Sequence, residues 1–260
     1  MPELIEVEQY RACFDRLCGT TVESVVVPDA RFLRGGTPTQ AQRLVGTTLV
    51  STSRRGKLLL ATFANGSCTS LVGLRFGMTG RLLLDGIGPI EQLEYASPRN
   101  DPAWDRLEIS LSGRVVTLRD QRLLGSFELS PDLSKLGPEG STASVEDLRP
   151  FSRSRVALKT LLLDQSRLAG LGNLLVDEIL WRAAISPMLR GHGLTSERSK
   201  VLATTIVSTV AELTERGGSH RGDTFALRRP EAVCTLCSGT MQFAKVGARG
   251  TWWCPTHQLG

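Results

Sequence analysis

The sequence predicts an α+β, multidomain protein: an N-terminal helix and an antiparallel β-sandwich, then a helical domain, then a small cysteine-bearing hairpin. Three observations carry this expectation. Apolar residues recur at helical spacing near the start, six β-branched runs separated by turn signals follow, and the second half changes to helical patterns that end in clustered cysteines. The 260 residues are 41% hydrophobic and 22% charged, with a net charge of +5, a globular composition that excludes wholesale disorder. No run approaches the roughly 18 apolar residues of a membrane span. The opening MPELIEVEQYR puts Glu3, Glu6 and Glu8 where a secretory leader would be basic. A cytoplasmic protein is expected. The positive charge leans toward a polyanionic partner without identifying one.

In chain order, the first eighteen residues read as a helix, because Tyr10, Cys13, Phe14 and Leu17 fall at i, i+3, i+4 and i+7 and Gly19 can stop it. Between residues 21 and 118, TVESVVV, TTLVSTS, KLLLATF, SCTSLVGL, RLEISL and RVVTL read as strands. Asn65-Gly66 and Ser112-Gly113 are hairpin dipeptides, and Arg54-Arg55-Gly56 makes another tight turn, which puts Lys57 at a strand start. Pro131 to Gly140 has a linker composition. Helices are expected over Val156–Asp164, Leu174–Ala184 and Ser196–Arg216. The last would be capped by Thr195 or Ser196, striped by Leu202, Ile206, Val210 and Leu213, and ended by Gly217-Gly218. The expected domains are residues 1–132, 133–225 and 226–260.

Chemistry concentrates near the C-terminus. Cys234-Thr-Leu-Cys237 is followed after sixteen residues by Cys254-Pro-Thr-His257, two close pairs at the ends of a predicted ribbon. Four N or S ligands so spaced suit one structural Zn2+, with Cys234, Cys237, Cys254 and His257 as candidates. So small a segment has almost no core, and the metal would supply most of its folding energy. A reactive CxxC with a bystander histidine is the plainer alternative. Arg249 lies at the predicted hairpin tip, either as a solvated loop residue or as a guanidinium aimed at a phosphate. Ala169-Gly-Leu-Gly-Asn173 precedes an apolar helix; it fits a tight inter-helix turn, and it also fits an anion site at a helix start, where Asn173 could cap or donate.

Taken together these pieces resemble the formamidopyrimidine-DNA glycosylase / endonuclease VIII family of base-excision repair enzymes. Pro2-Glu3-Leu-Ile-Glu6-Val-Glu8 is similar to that family's opening motif, Arg54-Arg55-Gly56-Lys57 to its lysine hairpin, and Gly77-Met78-Thr79-Gly80 to its intercalation loop. Asp164-Gln165 through Gly170-Leu-Gly-Asn173, with Asp177-Glu178 and Arg182, resembles its helix–two-turn–helix element. Cys234 to His257 resembles its zinc finger, with Arg249 at the fingertip. The likeness runs from residue 2 to 258 in consistent order. Each motif is modest; five in register are specific.

The resemblance implies a DNA glycosylase with AP lyase activity, acting as a monomer on double-stranded DNA that contains damaged or abasic sites. Removal of Met1 would expose the secondary amine of Pro2, and α-amines titrate near ~8, so a fraction is unprotonated at neutral pH. That amine would attack a sugar C1′ and form a Schiff base. Glu3 would be the general acid/base, Glu6 would orient the site, and Lys57 would reach a phosphate. Asn173 and Arg249 would clamp the backbone, Met78 would wedge into the stack, Arg122 would meet the orphaned base, Leu124 of the same loop is a further DNA-contact candidate, and Lys159 matches a position near the site. Read locally, Pro2 merely starts a helix, Glu3 favours its dipole, Lys57 is a solvated surface residue and Met78 is core.

Departures bear on substrate choice. Ile5 replaces the usual proline, Leu124 stands where the formamidopyrimidine branch has phenylalanine, and Arg75 stands where histidine is usual. Only fifteen residues separate Gly218 from Cys234, where the branch that excises 8-oxoguanine has a longer capping segment. The expectation is an enzyme without specialisation for 8-oxoguanine, acting on oxidised pyrimidines, ring-opened or hydantoin products, or a bulkier adduct. A zinc protein that binds damaged DNA without catalysis, an RNA-associated protein, and an enzyme acting mainly as an AP lyase are the competing readings.

Overall fold

The computed structural model describes residues 1–90, 93, 96–97 and 99–260. The chain divides into two compact units, residues 1–2 with 6–133 and residues 3–5 with 134–260.

Helix α1 (Leu4–Asp15) is shorter than the periodicity suggested, since residues 16–19 turn and Gly19 takes a left-handed φ of 89°. From Val7 onward its apolar face, with Tyr10, Cys13 and Phe14, lies in the core of the first unit, joined there by Leu17 of the turn that follows. The strands that complete this unit are β1 (Val22–Val26), β2 (Leu33–Arg34), β3 (Thr48–Arg55), β4 (Leu58–Asn65), β5 (Cys68–Arg75), β6 (Arg81–Leu84), β7 (Asp105–Leu111), β8 (Arg114–Arg119) and β9 (Ser126–Leu129). They form two sheets, ordered β1-β7-β8-β6 and β2-β9-β5-β4-β3. All the pairings are antiparallel except β2 with β9, which is parallel. One apolar cluster takes residues from both sheets, among them Ile109, Val116 and Leu118 from the first and Phe63, Leu74 and Phe127 from the second. β7 alternates buried and half-buried as a strand with one face on a core does, whereas β4 is apolar almost throughout and is buried on both faces.

Turn chemistry sets the register. Ser112 and Gly113, both at positive φ (47° and 79°), link β7 to β8 as a type I′ turn requires. Two expected turns lie one residue further on. Asn65 pairs with Cys68, so Gly66-Ser67 is the loop, and Arg55 pairs with Leu58, so Lys57 is the second turn residue and does not start a strand.

The second unit is mainly helical. After the short α2 (Pro38–Ala41) of the first unit come α3 (Val145–Leu148), α4 (Leu158–Leu163), α5 (Asn173–Arg182) and α6 (Ser196–Glu215), then β10 (Gln242–Val246) paired antiparallel with β11 (Arg249–Trp253). Thr195 caps α6 by accepting from the Arg198 N–H. At its other end Gly217 N–H donates to Thr214 O and Gly218 N–H to Leu213 O, the paired bonds of a Schellman motif. Residues Leu174 to Trp181 of α5 are all buried, which makes it the central helix of this unit. Its core gathers Leu4, Ile5, Leu175, Ile179, Leu202 and Ile206, and a smaller cluster surrounds Trp181, Cys234, Met241 and Cys254. Although Pro131 to Gly140 has a linker's composition, Gly137, Ala169 and Gly140 make backbone bonds that tie residues 137–140 to 165–169. Among the described residues no helix is long and apolar enough to cross a membrane.

Candidate active site

Glu3 belongs to the second unit and is built into its interior. Its side chain is fully buried, and its carboxylate accepts the N–H groups of Gly172 (2.8 Å), Leu174 (2.9 Å) and Leu175 (3.2 Å). These are orphan donors at the start of α5, so a residue 169 to 172 positions away in sequence does what a local N-cap would do. Gly172 is required there, because an added Cβ would overlap the Glu3 carboxyl group. Asn173 therefore does not cap α5. It is the first helical residue, and its Oδ1 is buried without a hydrogen-bond partner among the described residues. Leu4 N–H donates to Gly170 O (3.1 Å), and the positive φ of Gly170 (104°) lets that loop close over Leu4.

A buried ion network ties α5 to the terminal hairpin. Lys159 Nζ donates to Asp177 Oδ1 (2.5 Å), Thr251 Oγ1 (2.8 Å) and Gly250 O (3.1 Å), and Arg228 donates to Asp177 Oδ2 (2.6 Å). Burial pushes the lysine down from its usual range, against the opposing pull of Asp177. Lys159 is wholly buried, with all three ammonium protons directed to protein groups, so it does not face a ligand as the resemblance suggested. It instead holds β11, which begins with the exposed Arg249, against the helix that begins with Asn173. Lys159→Met is expected to leave Asp177 half-compensated and to cost about 3 kcal/mol, a fall of roughly 10 °C in melting midpoint by calorimetry.

At the base of the hairpin the thiol groups of Cys234, Cys237 and Cys254 lie within 4.8 Å of one another, with Cys237 and Cys254 Sγ 3.4 Å apart. Burial raises the Cys234 thiol, but the Trp181 indole N–H (3.3 Å) and nearby backbone donors outweigh it and bring it below its ordinary value. Three soft, converging sulfurs on a segment with a minimal core are a donor set suited to a metal ion. His257 departs from the expected arrangement. Its ring nitrogens lie outside the cluster, and Nε2 is bonded to the Trp181 carbonyl at 2.9 Å. The spacing of the second pair allows a fourth ligand, but here Nε2 is committed to the Trp181 carbonyl, and only Nδ1 is left for that part.

The first unit holds the other candidates. Pro2 and Glu6 are buried, and Lys57 is half-buried on the β3–β4 turn, where Arg54 Nη1 donates to Gly56 O (2.7 Å) and Arg54 Nε pairs with Glu8 (3.2 Å). Met78 lies on the turn between β5 and β6; Arg122 and Leu124 lie on the loop between β8 and β9. These two loops are brought together, with Arg122 Nη1 3.6 Å from Met78 Sδ, and Leu124 is half exposed. Arg75 pairs with Glu128 of β9 (2.5 Å). Sequence reasoning gives no role to the buried carboxylates of Asp120, on the second of these loops, and of Glu178 on α5, although both lie within motifs it notes.

Residues 1–127 match the profile of the formamidopyrimidine-DNA glycosylase N-terminal domain, and residues 136–224 match the H2TH domain of the same family. The chain is 34% identical over 287 residues to a formamidopyrimidine-DNA glycosylase of Xanthomonas axonopodis pv. citri and 31% over 283 residues to that of Idiomarina loihiensis, covering 99% of this chain and 100% of each relative. Among solved structures, a Lactococcus lactis FPG mutant in complex with Fapy-dG-containing DNA superposes with a TM-score of 0.84 at 26% identity, with both chains fully covered. MutM in complex with DNA containing carbocyclic 8-oxo-G gives 0.84 at 25%, again with full coverage. The chain belongs to the formamidopyrimidine-DNA glycosylase family.

Proposed function

We propose that the protein is a bifunctional DNA glycosylase and AP lyase that uses the imino group of Pro2, freed by removal of Met1, as its nucleophile. The observation that carries this reading is the burial of Glu3, whose carboxylate is held by three backbone N–H groups directly beside Pro2 in the chain. Ordering residues so near the start of the chain costs conformational entropy, and the three bonds to α5 meet that cost and hold the neighbour of Pro2 in one place. In the proposed reaction the Pro2 nitrogen bonds to C1′ of the damaged nucleotide and loses its proton. The glycosidic bond breaks, and the base departs protonated. Glu3 protonates the deoxyribose ring oxygen as the ring opens to the iminium. Abstraction of a C2′ proton then expels the 3′ phosphate, and water hydrolyses the iminium to release the enzyme. Lys57, Asn173 and Arg249 hold backbone phosphates, and Glu6 orients the terminus.

Zinc fits the three-cysteine cluster, and Cys234, Cys237 and Cys254 would hold it. His257 is the candidate fourth ligand: a carbonyl partner at Nε2 makes that nitrogen the donor and leaves the Nδ1 lone pair available. The ion would supply a structural tether for the hairpin that carries Arg249.

For substrate, we propose an enzyme without specialisation for 8-oxoguanine. Beyond Leu124 and the ion-paired Arg75, support comes from the short segment after α6. Glu178 is buried on α5 and accepts from Thr224 N (2.8 Å), Thr224 Oγ1 (2.6 Å) and Asp223 N (3.1 Å), and Gly222 packs against it. A segment pinned in this way is poorly suited to fold over a flipped purine. The test is a panel of single-lesion duplexes scored separately for base loss, nicking and borohydride trapping. Expected are trapping on abasic duplex and base loss from oxidised pyrimidines or ring-opened products that outpaces 8-oxoguanine opposite cytosine. Nicking without base loss from any lesion would favour the AP lyase reading, and binding without trapping would favour the non-catalytic one.

A further inference from the structure

Two loops of the first unit carry the side chains assigned above to the base stack. Residues 76–80 present Met78, and residues 120–125 present Arg122 and Leu124. One buried carboxylate holds both. Asp120, fully buried, accepts at Oδ2 from the N–H groups of Leu124 (2.7 Å) and Gly125 (2.7 Å). At Oδ1 it accepts from Arg122 N–H (3.2 Å) and from the Thr79 hydroxyl of the other loop (2.5 Å).

Two further features depend on this carboxylate. Leu123 sits at φ 53°, a left-handed conformation that a branched aliphatic residue adopts only when its surroundings over-determine it. The flanking N–H groups gathered on Asp120 provide that constraint. Gly77, at φ 56°, brings its loop so close that an added Cβ would stand 2.6 Å from the Leu124 carbonyl carbon. The loops therefore meet backbone to backbone, and the Thr79–Asp120 bond crosses the seam.

We propose that Asp120, joined to the wedge loop by Thr79, is a positioning residue for nucleotide extrusion: it locks Met78, Arg122 and Leu124 into one block before DNA arrives. Opening a base stack costs a few kcal/mol per step. A block already ordered enters the stack without a further ordering cost, which separate loops would add to that penalty. Asp120 touches no reacting atom. Its effect is confined to substrates whose stack must be opened.

This inference rests on the proposed function, and its test separates the two. The full-length protein is assayed for nicking and borohydride trapping at one abasic site, placed either in a duplex or in the same strand left single. Fluorescence of 2-aminopurine opposite a tetrahydrofuran site reports entry into the stack. Asp120→Asn puts an amide NH2 where one carboxylate oxygen accepted, against either the Leu124 and Gly125 N–H groups or the Arg122 N–H; Thr79→Val keeps side-chain shape and removes only the bond across the seam. Expected are a loss of duplex kcat/KM of thirtyfold or more for Asp120→Asn and about fivefold for Thr79→Val, with single-strand nicking within threefold of the parent and a reduced 2-aminopurine signal. A parent protein that traps on neither substrate would sink the functional reading. A parent that traps, with variants whose duplex-to-single-strand ratio stays within threefold of its own, overturns the role of Asp120. If Asp120→Asn does not fold, Thr79→Val decides by the same ratio.

Discussion

Protein that retains Met1 is expected to give no borohydride-trapped adduct with abasic DNA, while the processed protein traps it readily. Acylated by Met1, the Pro2 nitrogen is a tertiary amide whose lone pair is delocalised into the carbonyl, and it cannot attack C1′. Freed, it is a secondary amine with an α-amine's titration near ~8 and a usable neutral fraction at pH 7. Intact mass establishes which species is present, and the adduct is read on a denaturing gel. The effect is expected to be complete, because no other group in the proposed scheme supplies the nucleophile. Glu3→Gln complements this test. It leaves the amine in place but removes the acid/base, a loss of about 10²–10⁴ in base excision. It also substitutes one carbonyl oxygen for a carboxylate that serves three N–H groups at the head of α5, so a fall in stability of about 1 kcal/mol accompanies it. Trapping by the Met1-retaining form at the rate of the processed one would end the proline reading.

If the three thiols hold zinc as proposed, chelation of the purified protein, or replacing Cys234 by Ser, is expected to unfold the terminal hairpin and to abolish binding to abasic duplex. Metal binding supplies about 10–16 kcal/mol in small zinc modules, and the apolar cluster around Trp181, Ala232, Cys234, Met241 and Cys254 is too small to replace it. Trp181 and Trp252 lie in or against that cluster, so intrinsic fluorescence reports the loss directly, and a thiol reagent counts the exposed cysteines. Arg249→Ala serves as the local control. It is expected to keep the metal and the fluorescence, to weaken binding about equally on every sequence, and to reduce the salt dependence by about one counterion. A chelated protein with unchanged fluorescence and binding would show that the three thiols hold nothing of structural consequence.

Much of the fold was readable because its causes are local. Tyr10, Cys13, Phe14 and Leu17 mark one face of α1 by spacing alone, Ser112-Gly113 adopt the positive φ values their hairpin needs, and Gly217-Gly218 end α6. The pairing of Cys234-x-x-Cys237 with Cys254 foretold their convergence. Strands β2, β6 and β9 escaped notice because two to four residues are too short to establish a period, and β2 is held by a parallel neighbour far along the chain. The turns at Gly56-Lys57 and Gly66-Ser67 were misplaced by one residue, since strand register and not the dipeptide decides where a loop begins.

For the candidate site the division follows the range of the interactions. The resemblance carried by short motifs in order along the chain put forward Pro2, Glu3, Lys57, Met78, Asn173 and Arg249 as a set, which residue spacing alone does not do. Tertiary structure alone decided that Glu3 caps α5, that Lys159 is consumed by Asp177, Thr251 and Gly250 and faces no ligand, that His257 turns to the Trp181 carbonyl, and that Asp120 gathers two loops. Each of these is a buried polar group finding a partner remote in sequence. The high cost of leaving such a group unsatisfied fixes that a partner must exist, but only the packed chain determines which one it is.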